Sequence, residues 1–315
     1  MTRDHVVVIG AGMMGSGIAA MGALAGHPAI LVDVSAERAE QGLRRAADCV
    51  RLRQENGLAS KEEAERALQN LSSCGDMEQA LEQAYIVIEA IVENLEAKQA
   101  LFEKLDSLLP LEVPICSNTS GLRITDISAR CQNHPERTVT THFWLPAHLV
   151  PLVEVVMGDR TCEQTALQVK DELKKWKKAP VLVRKDMPGQ LANRIFQAII
   201  REAIDIVASG LASAEDVDMA IAMGMAMRFP VWGPLMHLDA IGTNLGLSVQ
   251  ETVLPSICAD REASPYIRDM VSRGDMGAKT GKGFYDWSER SIDDAMKKRD
   301  AFIIEACKVL NKLDG

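Results

Sequence analysis

The sequence predicts an α/β protein in two parts, a doubly wound and mostly parallel sheet followed by an all-helical half. Three observations predict it. Short apolar runs alternate with charged, helix-period stretches through the first half. A glycine-rich turn follows the first of those runs. After "DMPG" (186–189) the alternation stops and only helical spacing remains.

Taken in order, "HVVVIG" (5–10) is a short apolar run that ends in glycine and leads into a small-residue helix. "AILVDV" (29–34) is the second such run. A helical hairpin spans about 36–71, broken at "ENGLAS". "AYIVIEAI" (84–91), "VPICSN" (113–118), "TVTTHF" (138–143), "LVEVVM" (152–157) and "PVLVRK" (180–185) are further strand candidates. "NLEAKQALFEKLDSLL" and "CEQTALQVKDELKKW" between them carry helical spacing. The boundary is placed near Pro188, giving domains 1–188 and 189–315. In the second, "LANRIFQAIIREAIDIVASG" shows an apolar stripe through Leu191, Phe196, Ile199, Ala203 and Val207, with Arg201 and Asp205 as an i,i+4 pair on the polar face. Met296, Ile303, Cys307 and Leu310 share one face of the tail.

Composition narrows the function classes. Of 315 residues, 47% are hydrophobic and 25% charged, enough for a sizeable core. No run of about 18 apolar residues appears, so no membrane span is expected. The strand-like start leaves no room for a signal peptide. A net charge of −9 argues against a nucleic-acid partner. Seven scattered cysteines form no CxxC pair, which reads as reduced thiols of a cytoplasmic protein, with no metal site.

Gly10, Gly12 and Gly15 stand in G-x-G-x-x-G spacing after a strand and at the start of a helix, with Met13 and Met14 in the same turn. Asp33 follows Gly15 by 18 residues, at the end of the next strand. That context is what a Rossmann-type dinucleotide site requires. Gly10 permits the turn, Gly12 lets the backbone approach a pyrophosphate, and Gly15 lets helix and strand pack closely, with the helix N-terminus facing the phosphates. A carboxylate at position 33 accepts from ribose hydroxyls and repels a 2′-phosphate, so NAD is expected over NADP.

Glu154 sits inside the apolar run "PLVEVV", and a buried carboxylate is tolerable only with a partner. If "TVTTHF" and "LVEVVM" are successive strands, the "LPAHLVP" connection can bring His142 beside it, one imidazole nitrogen fixed and the other free as a base. A core histidine and an edge glutamate that never meet is the competing reading. "ICSNTSG" (115–121) follows a strand, where open α/β sheets bind ligands. Asn193 falls at the edge of the apolar side in the first turn of its helix, where it reads equally as a substrate ligand or as a cap or interdomain hydrogen bond.

Together these pieces resemble the 3-hydroxyacyl-CoA dehydrogenase family over nearly the whole chain. The matching stretches are "VIGAGMMGSGIA", "VIEAIVENLEAK", "SNTSGLRITDI", "HFWLP", "PLVEVV", "PGQLANR", "DVDMAIAMG", "WGPLMHLDAIG" and "GAKTGKGFYDW". The resemblance implies NAD-dependent oxidation of an L-3-hydroxy group to a ketone. It implies His142 as general base, Glu154 as the carboxylate that orients it, and Ser120 and Asn193 as holders of the substrate oxygen. Asn118, Glu93 and Lys98 match positions around the nicotinamide and its ribose. A homodimer through the helical domain is also implied.

Three departures bear on the substrate. Trp144 and Leu145 stand where the family has Phe and Asn, and Pro151 stands where it has Lys. "RLRQENGLAS" replaces the Lys-Lys-Gly of the hairpin that grips coenzyme A. These features are closer to relatives acting on small free acids, such as carnitine, gulonate and pyridine-carboxylate dehydrogenases. Against that, Arg44, Arg45, Arg51 and Arg53 cluster on the hairpin, and Arg44 and Arg51 share a face that could clamp CoA phosphates; a solvated charged face is the plainer reading. Arg228 and His237, near the Met-rich "MAIAMGMAMRFPVWG", are candidates for meeting an anionic substrate, with Trp144; each of the two reads equally as a surface residue. The expected function is a short-chain L-3-hydroxyacyl-CoA dehydrogenase. The alternatives are a dehydrogenase of a small non-CoA hydroxy acid and a non-catalytic NAD-binding protein.

Overall fold

The computed structural model describes residues 3–313, with side chains as far as Leu310. Eight strands form one sheet: β1 His5–Ile9, β2 Ala29–Val32, β3 Leu71–Cys74, β4 Ala84–Glu89, β5 Ile115–Ser117, β6 Thr138–Phe143, β7 Leu152–Val156 and β8 Ala179–Val183. Their order is β3-β2-β1-β4-β5-β6-β7-β8, parallel throughout except for the antiparallel β6–β7 pair. The helices of this part are α1 Met13–Leu24, α2 Ala36–Glu55, α3 Lys61–Asn70, α4 Met77–Leu81, α5 Leu95–Leu108, α6 Ile124–Ile127 and α7 Glu163–Lys175.

The unbroken apolar run of β1 has a simple cause. Val6 and Val8 enter one buried cluster, with α1 and α7, while Val7 and Ile9 enter another, with α5. A strand covered on both faces has no polar side to show, so alternation is absent. Helix starts are fixed locally: Ser35 caps α2, Asn94 caps α5, and Ser60 with Glu63 forms a capping box on α3.

β3 and α4 were not foreseen. "LSSC" lacks an apolar run because β3 is the edge strand, paired only with β2, and only Leu71 of its four residues is buried. α4 is a five-residue helix held by Asp76 at its N-cap, too short to show a period.

The chain divides into two compact units. One comprises the described residues up to Asn193 together with Phe302–Leu313; the other is Arg194–Ala301. The second unit is helical: most of α8 (Ala192–Ala208), then α9 Ala214–Ala220, a π-helical turn Ile221–Met225, α10 Pro234–Ile241, α11 Thr243–Val253, α12 Pro265–Ser272 and the start of α13 (Ile292–Leu313). The end of α13 belongs to the first unit, where Ile304 and Cys307 pack on Leu58 and Leu149, with Ile303 beside them. Met296, expected on that face, is 39% exposed.

Two details of α8 differ from expectation. Its inward face runs through Ile200, Ala203, Ile204 and Val207, which line an apolar groove of about 380 Å³ with Val217, Phe284 and Trp287. Ile204 is buried while Phe196 stays half-exposed, so the stripe is rotated from the expected one. Arg201 does not pair with Asp205; its guanidinium donates to the Asp260 carbonyl, because a neighbouring segment offers a fixed acceptor.

Candidate active site

The chain turns outward to β2 and β3 on one side of β1 and continues through β4 on the other, so β1 and β4 flank the switch point of the sheet. Ligands of open α/β sheets bind outside the carboxyl ends of strands at such a point. A cleft of about 710 Å³ lies there, lined by Gly10, Gly12, Met13, Met14, Asp33 and Arg38 among others. Gly10 has φ +103°, and a Cβ on it would stand 2.4 Å from the Ala90 carbonyl oxygen. A Cβ on Gly15 would stand 1.8 Å from the Gly10 carbonyl oxygen, which is the close helix–strand approach expected of it. At Gly12 the same construction meets nothing within 4 Å, so the backbone opens onto the cleft. One contact was not anticipated: Arg45 donates to the Ala11 carbonyl at 2.6 Å and ties α2 to this turn.

Asp33 closes the cleft at the end of β2. Its Oδ2 accepts from the Ala11 N–H at 2.8 Å. Its Oδ1 accepts from the Val34 N–H at 2.8 Å and faces Arg38 Nε at 3.1 Å. A carboxylate has about four acceptor positions, so one remains for a ribose hydroxyl. These features fit the phosphate turn and the ribose of a dinucleotide.

At β6 and β7 the expected meeting occurs. His142 and Glu154 are register partners across the antiparallel pair. The Nδ1–H of His142 donates to Glu154 Oε2 at 2.7 Å, with the Glu154 side chain fully buried. The same oxygen accepts the Trp144 indole N–H at 3.1 Å, and Oε1 accepts the backbone N–H groups of Leu191 and Ala192, both at 2.8 Å. Burial by itself raises a carboxyl, but the hydrogen bonds from His142, Ala192, Trp144 and Leu191 outweigh it and hold Glu154 down to about 2. Asn193, next in the chain after those two amides, is half-buried in the first turn of α8.

Ser120 is exposed on the loop after β5. That loop is tied down by Glu93, whose Oε1 accepts from the Thr119 hydroxyl at 2.5 Å and from the Ser120 and Gly121 N–H groups, each at 3.1 Å. Asn118 Oδ1 accepts from the Phe143 N–H at 2.8 Å, joining the loop to the histidine strand. Lys98 is buried, its ammonium 2.5 Å from Glu89 and 3.4 Å from Glu93. Glu89 was missed by the sequence reading. It is fully buried at the end of β4, and it also accepts from Ser117 Oγ at 2.6 Å and the Ile91 N–H at 2.7 Å. The signal was present, a glutamate ending an apolar run just as in "PLVEVV".

The loop joining β6 to β7, which contains a cis Leu145–Pro146 bond, has four successive carbonyls met by side-chain donors. Lys178 donates to Ala147 and Val150, Arg53 to His148, and Cys307 to Leu149. Burial, with Arg53 nearby, pushes Lys178 down to about 7. Of the hairpin arginines, Arg53 is therefore occupied and buried. Arg44 and Arg51 are exposed, each beside an acid of its own helix, Glu40 at 3.1 Å and Asp48 at 2.8 Å. In the second unit Arg228 is exposed, and His237 is half-buried with its ring 5.9 Å from Trp232. A second imidazole–carboxylate pair, His27 and Glu172, lies at the amino end of β2. Among the described residues there is no cluster of metal-ligating side chains, and no helix is long and apolar enough to cross a membrane.

Residues 5–187 match the model of the 3-hydroxyacyl-CoA dehydrogenase NAD-binding domain, and residues 189–287 match that of the C-terminal domain. The "Probable 3-hydroxybutyryl-CoA dehydrogenase" of Bacillus subtilis is 40% identical over 92% of this chain and 100% of its own. Among solved structures, 5-formyl-3-hydroxy-2-methylpyridine 4-carboxylic acid 5-dehydrogenase, described as an NAD+-dependent dismutase, superposes with a TM-score of 0.89 at 28% identity over 99% of both chains. (S)-3-hydroxybutyryl-CoA dehydrogenase from Ralstonia eutropha gives a TM-score of 0.73 at 32% identity, over 91% of this chain and 99% of its own.

Proposed function

The chain belongs to the 3-hydroxyacyl-CoA dehydrogenase family, an NAD-dependent oxidoreductase acting on CH–OH, and we propose that it oxidises a short L-3-hydroxyacyl-CoA with His142 as general base. The observation that carries this reading is the His142–Glu154 pair, a buried carboxylate fixed by four donors against one imidazole nitrogen.

With Nδ1–H committed to Glu154, Nε2 is the nitrogen that takes the substrate hydroxyl proton. Bound in the cleft, NAD would accept the hydride from the carbon that bears this hydroxyl, so that a hydride and a proton leave together and a ketone forms. Glu154 remains ionised and stabilises the imidazolium that results. Ser120 and Asn193 hold the substrate oxygen as its charge develops. Glu93, Lys98 and Asn118 serve the nicotinamide end by fixing the loop that carries Ser120. Asp33 selects NAD over NADP. The Asp33→Ala variant is expected to bind NAD about tenfold more weakly, the loss of a charged hydrogen-bond acceptor, and to tolerate NADP better. Fluorescence titration with both dinucleotides measures this, and equal affinity for the two in the unaltered protein defeats it.

The second reading replaces the thioester with a small hydroxy acid. The TM-score of 0.89 with the pyridine-carboxylate enzyme favours it, as do the intrahelical partners of Arg44 and Arg51. NADH formation from L-3-hydroxybutyryl-CoA, compared with carnitine, gulonate and pyridine carboxylates, separates the two. Turnover of the thioester supports the first; turnover of free acids alone establishes the second. We assign the enzyme to the cytoplasm, which the scattered spacing of its seven cysteines, without a CxxC pair, supports. Exposed Met223, Met227, Val231, Leu235 and Met236 in the second unit support a homodimer formed there, which sedimentation tests.

A further inference from the structure

We propose that Trp144 is a positioning residue for the base: its indole N–H shares the carboxylate oxygen that holds His142, and so sets how strongly Glu154 keeps a proton on the imidazole. This rests on the reading of His142 and Glu154 given above.

The geometry is specific. Oε2 of Glu154 accepts from His142 at 2.7 Å and from Trp144 at 3.1 Å, while Oε1 accepts from Leu191 and Ala192. All of the roughly four acceptor positions of the carboxylate are filled. The two rings stand 5.8 Å apart at 51°, so the indole meets the carboxylate edge-on without stacking on the imidazole. His142 and Glu154 are the ionisable groups of this arrangement. The indole, the two backbone amides and Val181, which stands opposite Glu154 on β8, are neutral.

The chemistry follows from sharing one oxygen. When His142 gains a proton, its Nδ1–H···Oε2 bond becomes charge-assisted and strengthens. A second donor on that oxygen disperses the negative charge and reduces the gain, so the imidazolium is held less firmly. Phe in place of Trp144 keeps an aromatic ring and removes the donor. Glu154 remains fixed by its three other bonds, and its charge concentrates on His142.

The test is a titration of the full chain with isotope-labelled histidine and tryptophan, read by NMR. The six histidines are assigned by comparison with His142→Ala. Trp144→Phe is expected to raise the His142 titration midpoint by about half a pH unit, and to move the acid limb of kcat/KM up by the same amount. An unmoved or lowered midpoint overturns the proposal. In the unaltered protein, the indole N–H resonance of Trp144 is expected to shift as His142 titrates, and an indifferent resonance also overturns it. That second readout stands even if Trp144→Phe does not fold. Neither titration needs substrate or cofactor. If His142→Ala still turns over while the midpoint moves, the base role fails and the coupling through Glu154 survives. If His142→Ala is inactive and the midpoint is unmoved, the base role survives and the Trp144 inference fails.

Discussion

The molecule contains two imidazole–carboxylate–indole arrangements of almost the same composition. In one, Glu154 accepts from His142 and Trp144 on a single oxygen; in the other, Glu172 accepts from His27 at 2.9 Å and Trp176 at 3.0 Å, again on a single oxygen. The differences lie in what surrounds them. Glu154 takes backbone amides on its second oxygen, whereas Glu172 takes the Lys175 ammonium at 2.9 Å. His142 uses Nδ1 and His27 uses Nε2, and Tyr85 stacks on the His27 ring at 4.9 Å. Above all, His142 lies near the carboxyl end of β6, which runs parallel to β1, β4 and β5, whose carboxyl ends meet the cleft. His27 precedes β2, at the opposite edge. Local chemistry alone therefore does not single out a candidate base; its place on the sheet does.

The largest expected effect breaks this comparison if it is wrong. His142→Ala should lower kcat by about 10²- to 10⁴-fold, the usual contribution of a general base, and leave NAD affinity within a few fold. His27→Ala should leave kcat unchanged. Steady-state kinetics on both variants is the check, and a comparable loss in His27→Ala would abolish the distinction drawn from the sheet.

Much of this was legible in the sequence because each part has a local cause. The glycine turn is demanded by φ at Gly10 and by contact at Gly15, and the strand runs are long where both faces are buried. Glu154 announced itself as an acid among apolar residues. What stayed hidden depends on long-range placement. Edge strand β3 has too little apolar surface to show a pattern. The partner of Lys98 could not be read from a helix face, nor the use of Arg53 and Lys178 to cap the loop between β6 and β7. The second triad was invisible because His27 and Glu172 lie 145 residues apart, with no motif to join them.

A smaller effect separates the triads by stability. Burial works to raise the Glu172 carboxyl, but hydrogen bonds led by His27 and Lys175 hold it well below the ordinary value of 4.5. A carboxylate depressed in the folded state contributes stability that is complete above its unfolded value and is lost as pH falls through the folded one. Glu172→Gln should therefore cost about 1–3 kcal/mol at neutral pH, with the gap to the unaltered protein narrowing well below 4.5. Urea unfolding at the two pH values measures it. A gap that stays constant would mean that packing, and not charge, is what Glu172 provides.

The smallest effect comes from making one substitution in each triad. Trp176→Phe deletes an indole N–H from Glu172 as Trp144→Phe deletes one from Glu154. Trp176 is almost fully buried, and the oxygen it leaves still accepts from His27. The expected cost is about 1 kcal/mol of stability for the lost hydrogen bond, with the acid limb of kcat/KM where it was. Trp144→Phe should do the reverse, moving the acid limb while the urea midpoint changes less, because three donors still hold Glu154. If both substitutions move the acid limb, it reports a property of the whole fold. If only Trp144→Phe does, the hydrogen bond works through His142, the imidazole proposed to receive a proton from substrate.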